Sequence, residues 1–151
     1  ALSNVRRPVT ELAADAPVAI CAARPDEPYS LAPAMGGLVL SSAGFQVTLL
    51  GPNTPAVEIV DAAVELSATV ITLSVSTVPT SFEELASLCA KASELGIRVA
   101  LGGRMLTPEL RKQLAPDFFG DTMAHLASYA DRLRRDLLAT QAADSAKRGT
   151  L

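Results

Sequence analysis

The sequence is poor in residues on which several classes of protein depend. Its 151 residues include one histidine, no tryptophan and an aromatic fraction of 4%, which argues against a stacking surface for single-stranded nucleic acid. The net charge of −3 is unlike the basic face of a nucleic-acid-binding protein. No apolar run approaches the roughly 20 residues of a membrane span. We therefore expect no direct nucleic-acid binding and no membrane insertion.

Cysteine is also scarce. Neither Cys21 nor Cys89 has another Cys or a His nearby at metal-ligand spacing, so we expect both to be reduced, buried residues of a cytoplasmic protein. We see no charged-then-apolar secretory leader. Because the sequence begins with Ala1, we expect a fragment or a processed chain.

What the sequence does contain is a regular alternation of apolar strands and helices. Residues 1–16 are interpreted as a linker or the remnant of an upstream element, 17–138 as one domain and 139–151 as a disordered tail. The predicted strands cover residues 18–22, 45–50, 69–75, 97–101 and 117–119. The predicted helices cover residues 31–43, 55–66, 82–95, 108–114 and 121–138.

This alternation with short loops predicts an α/β fold, in which helices cover both faces of a parallel sheet. We expect a flavodoxin-like (Rossmann-like), doubly wound, five-stranded sheet of order 2-1-3-4-5. A ligand of such a sheet binds outside the carboxyl ends of the strands, at the switch point between strands one and three. That places residues 26–31 and 74–80 on its two sides and Gly102-Gly103 at the neighbouring edge.

Two helix starts carry capping signals. Thr54 before Pro55 predicts an N-cap for the second helix. Ser81 and Glu84 have the spacing of a capping box for the third helix.

Several activities of this fold are excluded by the loops. Strand three ends in Ser74-Val75-Ser76, without the aspartate of a phospho-accepting receiver. The loop after strand one holds two prolines and two acids, where a flavodoxin needs a phosphate cradle. There is no G-x-G-x-x-G or G-x-S-x-G motif. The only histidine, His125, is expected on the last helix, away from the strand ends, so we predict no enzymatic activity for this domain alone.

The remaining polar positions at the strand ends have two interpretations each. Ser74, Ser76 and Thr77 provide hydroxyls for a ligand, or satisfy the exposed end of a strand. Gly102-Gly103 permits the close approach of a flat ligand, or forms a simple turn. Glu27 and its neighbour Asp26 are an acid/base pair, or serve capping and turn formation.

Three segments together resemble a known family. They are Gly44-Phe45-Gln46-Val47 with Leu50-Gly51-Pro52-Asn53-Thr54-Pro55, then Leu73-Ser74-Val75-Ser76, then Leu101-Gly102-Gly103-Arg104. Over about residues 17–133 the chain resembles the cobalamin (vitamin B12)-binding domain, most of all the version behind a MerR-type DNA-binding domain in light-responsive regulators of the CarH/LitR kind. The resemblance implies a cobalamin, as adenosylcobalamin or hydroxocobalamin. It implies contacts from Gly51, Ser74, Ser76, Thr77, Gly102, Gly103 and Arg104.

The resemblance also implies an Asp/Glu-x-His-x-x-Gly motif after strand one. In that family the histidine binds cobalt and displaces the dimethylbenzimidazole base, which enters a slot beside the Ser and Gly-Gly loops. Here Glu27 holds the acidic position, Tyr29 the histidine position and Ala32 the glycine position. Because no histidine occurs before residue 125, no shift of alignment restores the ligand, and a phenol with a pKa near 10 is a poor substitute. We therefore predict no metal-ligating residue, with Glu27 and Tyr29 still facing the cofactor.

Three functions follow from this resemblance. The first is a sensory domain for a cobalamin or a related tetrapyrrole such as haem or a bilin, acting through a partner protein or an upstream DNA-binding domain. The second is a protein-interaction module that has lost its ligand. The third is the corrinoid carrier of a methyltransferase or mutase. A homo-oligomer is compatible with each of them.

Overall fold

A computed structural model of the chain describes residues 15–24, 31–76 and 82–149. Its core is one parallel five-stranded sheet of order β2-β1-β3-β4-β5. The strands in chain order are β1 (Val18–Ala23), β2 (Gln46–Leu49), β3 (Val70–Ser74), β4 (Arg98–Gly102) and β5 (Phe118–Gly120). The predicted fold class and strand order are confirmed.

Five helices alternate with these strands. They are α1 (Leu31–Ser42), α2 (Ala56–Glu65), α3 (Phe82–Glu94), α4 (Pro108–Leu114) and α5 (Met123–Gly149). Within the described ranges, none of them combines the length and apolar character that a membrane crossing requires.

The two faces of the sheet carry separate cores, because successive side chains of a strand point to opposite faces. On one face Ile20, Ile71 and Val99 are buried against α2, α3 and α4. On the other face Cys21 and Val70 are buried with Leu40 of α1 and Leu133 of α5. Both cysteines are free and buried, as the sequence predicted.

The last helix corrects the sequence analysis. The tail after residue 138 was expected to be disordered, but α5 continues to Gly149. The low apolar content of this segment explains why its residues are exposed. The same segment contains four alanines in the 11 residues from 139 to 149, and alanine favours helix even without packing.

The two capping predictions are also changed. Thr54 does not cap α2, since its hydroxyl donates to the carbonyl oxygen of Gly51 at 2.6 Å and Pro55 is the N-cap residue. The carboxylate of Glu84 accepts a hydrogen bond from the backbone N–H of Ala56 at 3.1 Å. An acid of α3 therefore serves the N-terminus of α2, where a negative charge is favourable. Ser81 lies outside the described residues.

His125 is a further correction. We expected it away from the strand ends, but it lies in the first turn of α5, beside the end of β5. Its Nδ1 accepts the backbone N–H of Asp121 at 3.2 Å. A Cβ built on Gly120 would lie 2.9 Å from the Cβ of His125.

Candidate ligand-binding site

A cavity of about 210 Å³ lies between the sheet and helices α1 and α5, at the carboxyl ends of β3, β4 and β5. We call it the α1/α5 cavity. Its lining consists of Ala22, Ala32, Pro33, Gly36, Thr72, Leu73, Ser74, Ala100, Leu101, Gly102, Gly103, Arg104, Phe118, Gly120, Asp121, Thr122, Met123 and Leu126.

Small side chains on the sheet create this space. Ser74 is in register with Gly102, and Gly102 with Gly120, so the three residues form one row across β3, β4 and β5. Large side chains fill the same face nearer the other end of the strands, where Val70 packs with Phe45. The floor of the α1/α5 cavity is therefore this Ser74–Gly102–Gly120 row.

The walls come from the two helices and from β5. A Cβ on Gly36 of α1 would lie 3.5 Å from Cδ2 of Leu126 on α5, so the helices approach closely at that point. The ring of Phe118 is stacked on Tyr129 of α5, with ring centroids 4.4 Å apart and planes 11° from parallel. This stacking fixes Phe118 as one apolar wall.

The two adjacent glycines of the cavity serve different purposes. Gly103 has a φ of +125°, and a Cβ there would lie 2.2 Å from the carbonyl oxygen of Val75. Only glycine fits such an approach between two backbones. A Cβ on Gly102 would lie 3.4 Å from the carbonyl oxygen of Gly120, an ordinary contact. Gly103 is therefore required by the fold, whereas Gly102 keeps the floor of the cavity open.

Ser74 is the polar group of the floor. It is 9% exposed, and its hydroxyl oxygen is buried without a hydrogen-bond partner. The neighbouring hydroxyl of Thr72 donates to the carbonyl oxygen of Ile20 at 3.4 Å. Arg111 Nε and the Tyr129 hydroxyl are likewise buried without a hydrogen-bond partner. Because buried polar groups are nearly always paired, the Ser74 hydroxyl is available to a polar atom that enters the cavity.

The mouth of the cavity is formed by its exposed lining residues Arg104, Asp121 and Thr122. Asp121 forms an ion pair with Arg111, whose guanidinium lies over the ring of Phe119 at 4.4 Å from the centroid. Since the aspartate is paired, Arg104 gives the mouth a positive character.

The structure brings together four of the predicted site residues, Ser74, Gly102, Gly103 and Arg104. Ser76 follows β3 but does not line the α1/α5 cavity, and Gly51 lies exposed after β2, also away from it. Glu27, Tyr29 and Thr77 lie outside the described residues, so their roles stay predictions.

Several cavity residues were missed by the sequence analysis, among them Gly120, Thr122 and Leu126. They lie at or after the end of β5, a strand that the sequence analysis placed one residue too early. Arg24 does not line the cavity. It follows β1, is only 3% exposed, and its backbone N–H donates to the carbonyl oxygen of Ser74 at 2.9 Å.

Two titratable side chains packed behind the cavity, the Cys21 thiol and the Tyr129 phenol, have raised pKa values. Burial raises the pKa of the Cys21 thiol to about 11, in spite of a hydrogen bond with Thr72. Burial and the charge of Asp117 raise the pKa of Tyr129. In the part of the chain that the structure describes, no cluster of three His, Cys, Asp or Glu residues could hold a metal ion.

A family model for the B12-binding domain matches residues 18–140. The chain belongs to the B12-binding domain family. The match contains all five strands and the whole α1/α5 cavity, and it supports a corrinoid as the class of ligand. No curated protein sequence shows a significant match.

Solved structures of the same fold agree in shape but not closely in sequence. A cobalamin-binding protein from Desulfitobacterium hafniense aligns with 78% of this chain and 59% of its own, at 17% identity and a TM-score of 0.69. The methanol:cobalamin methyltransferase complex MtaBC from Methanosarcina barkeri aligns over 78% of this chain and 46% of its own, at 20% identity and a TM-score of 0.68. The monomethylamine corrinoid protein of the same organism aligns over 79% and 58%, at 18% identity and a TM-score of 0.65.

These identities are low, so the similarity is one of fold. This B12-binding domain spans 46–59% of the length of those three chains.

Proposed function

We propose that this domain binds a cobalamin with its lower nucleotide base inserted in the α1/α5 cavity and its corrin ring outside, at the strand ends. The observation that carries the proposal is the Ser74–Gly102–Gly120 row, in which a buried hydroxyl without a partner lies beside two residues that have no side chain. A ring nitrogen of the base would accept the hydrogen bond that Ser74 can donate.

The size of the cavity supports insertion of the base alone. Pockets that bury a whole drug-sized ligand measure about 300–1,000 Å³, whereas the α1/α5 cavity measures about 210 Å³. The space therefore suits one heteroaromatic base between Phe118 and the helices, but not a macrocycle. A corrin ring would lie over the mouth.

The same feature favours a cobalamin over the other tetrapyrroles. Haem and bilins carry no pendant aromatic base, so they would leave the Ser74 hydroxyl unpaired and the cavity unused. The open cavity also favours ligand binding over a role in protein association alone, because none of the described residues fills it.

We further propose that the domain is a cobalamin sensor that controls transcription or signalling through a partner domain, rather than an enzyme. The support is the sequence resemblance to light-responsive regulators. In addition, the Ser74 hydroxyl has no described base within hydrogen-bond distance to activate it as a nucleophile. The fold shared with a methanol:cobalamin methyltransferase complex and with a monomethylamine corrinoid protein favours a second candidate, a corrinoid carrier.

Binding of the base is tested by mixing the purified protein with adenosylcobalamin in the dark, removing free ligand and recording the absorbance spectrum. We expect retention of the cofactor with a base-off spectrum. Ser74→Ala should weaken binding about 5-fold, since a hydrogen bond contributes about 1 kcal/mol, while the exposed Ser128→Ala serves as the matched control. Retention of haemin or biliverdin in place of a cobalamin, or of no ligand, would refute the proposal.

The sensory role needs a separate measurement. Illumination of the adenosylcobalamin complex should change its mass in solution, measured by light scattering. A carrier should instead accept a methyl group from a methyltransferase and keep the same mass on illumination.

A further inference from the structure

The β2 edge of the sheet lacks the protection that the β5 edge has. Edge strands usually carry charged side chains or proline, which discourage pairing with another chain. At the β5 edge Asp121 is paired with Arg111, whose guanidinium lies over the exposed ring of Phe119. The strand β2, with the sequence Gln46-Val47-Thr48-Leu49, has no charged residue and no proline. Among the described residues it pairs on one side only, with β1.

The lack of charge extends well beyond β2. Residues 28–57 contain no Asp, Glu, Lys, Arg or His, although 30 residues at the charged fraction of the chain, 19%, would hold about six charges. This stretch includes all of α1 and β2. Of residues 31–57, six are buried and 21 retain exposed surface, and a stable interface takes about 20–30 residues from each partner. Since charged residues are depleted in the core of protein interfaces, this surface has the size and composition of one.

Helix α1 is apolar on its outer side as well as on the side that faces the sheet. Leu31, Met35 and Leu38 are 73%, 43% and 47% exposed, and their spacing places them on one stripe of the helix. Beside this stripe, a Cβ on Gly37 would lie 3.0 Å from Cδ2 of Leu49, which is itself 53% exposed. Because a helix that is apolar all round is normally buried, we expect a protein surface to cover α1 and the adjacent side chain of β2.

The open backbone groups of β2 are complementary to a copy of themselves. The N–H groups of Gln46 and Leu50 donate to carbonyl oxygens of the β1 segment at 2.8 and 3.0 Å. Since successive residues of a strand direct their backbone groups to opposite sides, those of Val47 and Leu49 are directed to the open edge. Two opposed residues of an antiparallel pair exchange both hydrogen bonds, so Val47 can pair with Leu49 of a second copy about a two-fold axis at Thr48. An uncharged surface offers nothing for a charged partner to match, which favours a second copy as the occupant.

We propose that the β2 edge and α1 bind a second copy of this chain, through antiparallel pairing of the two β2 strands that extends the sheet to ten strands. The two-fold axis is perpendicular to the sheet, so the two α1 helices lie side by side on the same face. Helix α1 packs on both β1 and β2. If it is centred between them, two strand spacings of about 4.8 Å separate its axis from that of the second α1, about 10 Å in all.

That separation is close to the 8–10 Å at which helices pack. Pairing of the strands therefore also covers Leu38 and Leu49, the exposed apolar side chains that flank Gly37. The interface does not involve the α1/α5 cavity, so the proposal does not depend on cobalamin binding.

The oligomeric state is measured on the protein without cofactor, by sedimentation equilibrium over concentrations from about 1 μM to about 1 mM. We expect the mass to rise from 15.7 kDa to twice that value. Leu49→Lys should raise the dissociation constant of the dimer about 10-fold or more, because the interface desolvates the lysine without pairing it. The matched control is Leu138→Lys on α5, where the leucine is 48% exposed, and it should keep the wild-type constant. Circular dichroism should show that both variants are folded.

Hydrogen exchange of the wild type, followed by NMR, tests the strand pairing without any substitution. The amides of Val47 and Leu49 should exchange slowly where the dimer forms and fast after dilution, whereas those of Gln46 and Leu50 should be protected in both states. A mass that stays at 15.7 kDa, an equal effect of the two lysine substitutions, or fast exchange of Val47 and Leu49 in a dimer would overturn the proposal. A monomer in which these two amides are protected would also overturn it, since another segment of the same chain would then cover β2.

Discussion

Alanine substitutions at the two adjacent glycines, Gly102 and Gly103, should separate the stability of this domain from its ligand binding. The two residues differ in what a Cβ would meet and in their backbone φ. At Gly103 it would lie 2.2, 2.6 and 2.8 Å from backbone atoms of Val75, at a φ of +125°. At Gly102 the nearest atom is the carbonyl oxygen of Gly120 at 3.4 Å.

The expected cost at Gly103 is large, because the contacts are with backbone that no rotamer change can move. A strained φ costs about 1–3 kcal/mol and overpacking a further 1–3 kcal/mol or so. The sum of about 2–6 kcal/mol is a large part of a total stability of about 5–15 kcal/mol. With about 2–4 °C per kcal/mol for a domain of this size, Gly103→Ala should lower the Tm by roughly 5–20 °C.

Gly102 should behave in the opposite way. Gly102→Ala makes an ordinary contact and should leave the Tm within a few degrees of the wild type. Gly102→Val adds three carbon atoms to the floor. If each takes up roughly 30 Å³, the volume of a water molecule in the liquid, together they fill roughly 90 Å³ of a cavity of about 210 Å³. We therefore expect Gly102→Val to fold and to lose cobalamin binding.

Thermal unfolding of the free protein and cobalamin retention on a desalting column measure the two effects separately. A Gly103→Ala variant with the wild-type Tm would refute the close approach to Val75. A Gly102→Val variant that still takes up a cobalamin in its base-off form would show that the base does not enter the α1/α5 cavity.

Two further predictions concern stability. The carboxylate of Asp117 accepts a hydrogen bond from the backbone N–H of Val99 at 2.8 Å. In urea titrations, Asp117→Ala should therefore lower the free energy of unfolding by about 1–2 kcal/mol. Asp117→Asn keeps an acceptor oxygen and should lower the free energy of unfolding by less. Burial raises the pKa of Cys21 and Cys89 from 9.0 to about 11, so the thiols ionise first in the unfolded chain. The free energy of unfolding should therefore fall as the pH rises from 9 to 11. In a Cys21→Ala/Cys89→Ala variant this fall should be smaller, because the contribution of the two thiols is removed. A decline of the same sign should remain, because the pKa of Tyr129 is also raised in the folded chain.

The fold could be predicted from the sequence because its signals are local. A run such as Val18–Ala23, apolar throughout and preceded by Pro17, indicates a strand buried on both faces. Five such strands separated by helices leave few possible topologies. The errors arose where a contact joins distant parts of the chain, since nothing near Glu84 in sequence shows that it bonds to Ala56. The length of α5 was missed because the composition of the segment after residue 138, with alanines and charged residues, was interpreted as disorder.

The site was less accessible to sequence reasoning for a different physical reason. Ser74 and Gly102 follow obvious apolar runs, so their place at a ligand-binding edge could be predicted. Gly120 joins them only through the pairing register of β4 with β5, and register is a property of the folded sheet. The unpaired hydroxyl of Ser74 depends in turn on which residues surround it.

The position of Val75 explains why the cavity can be open in the absence of a ligand. Val75 is fully buried in the core shared with α2, α3 and α4, on the opposite face of the sheet from the cavity. Its N–H donates to Gly102 at 2.7 Å and its carbonyl oxygen accepts the N–H of Met105 at 3.2 Å, so both sides of the Gly102-Gly103 pair are held by that core. The floor is thus supported by packing that a ligand does not touch. Binding to such a preformed cavity does not include the entropic cost of ordering its floor. Substitutions that place larger side chains in the core around Val75 should shift the Gly102-Gly103 pair, and they should therefore weaken cobalamin binding although they do not contact the cofactor.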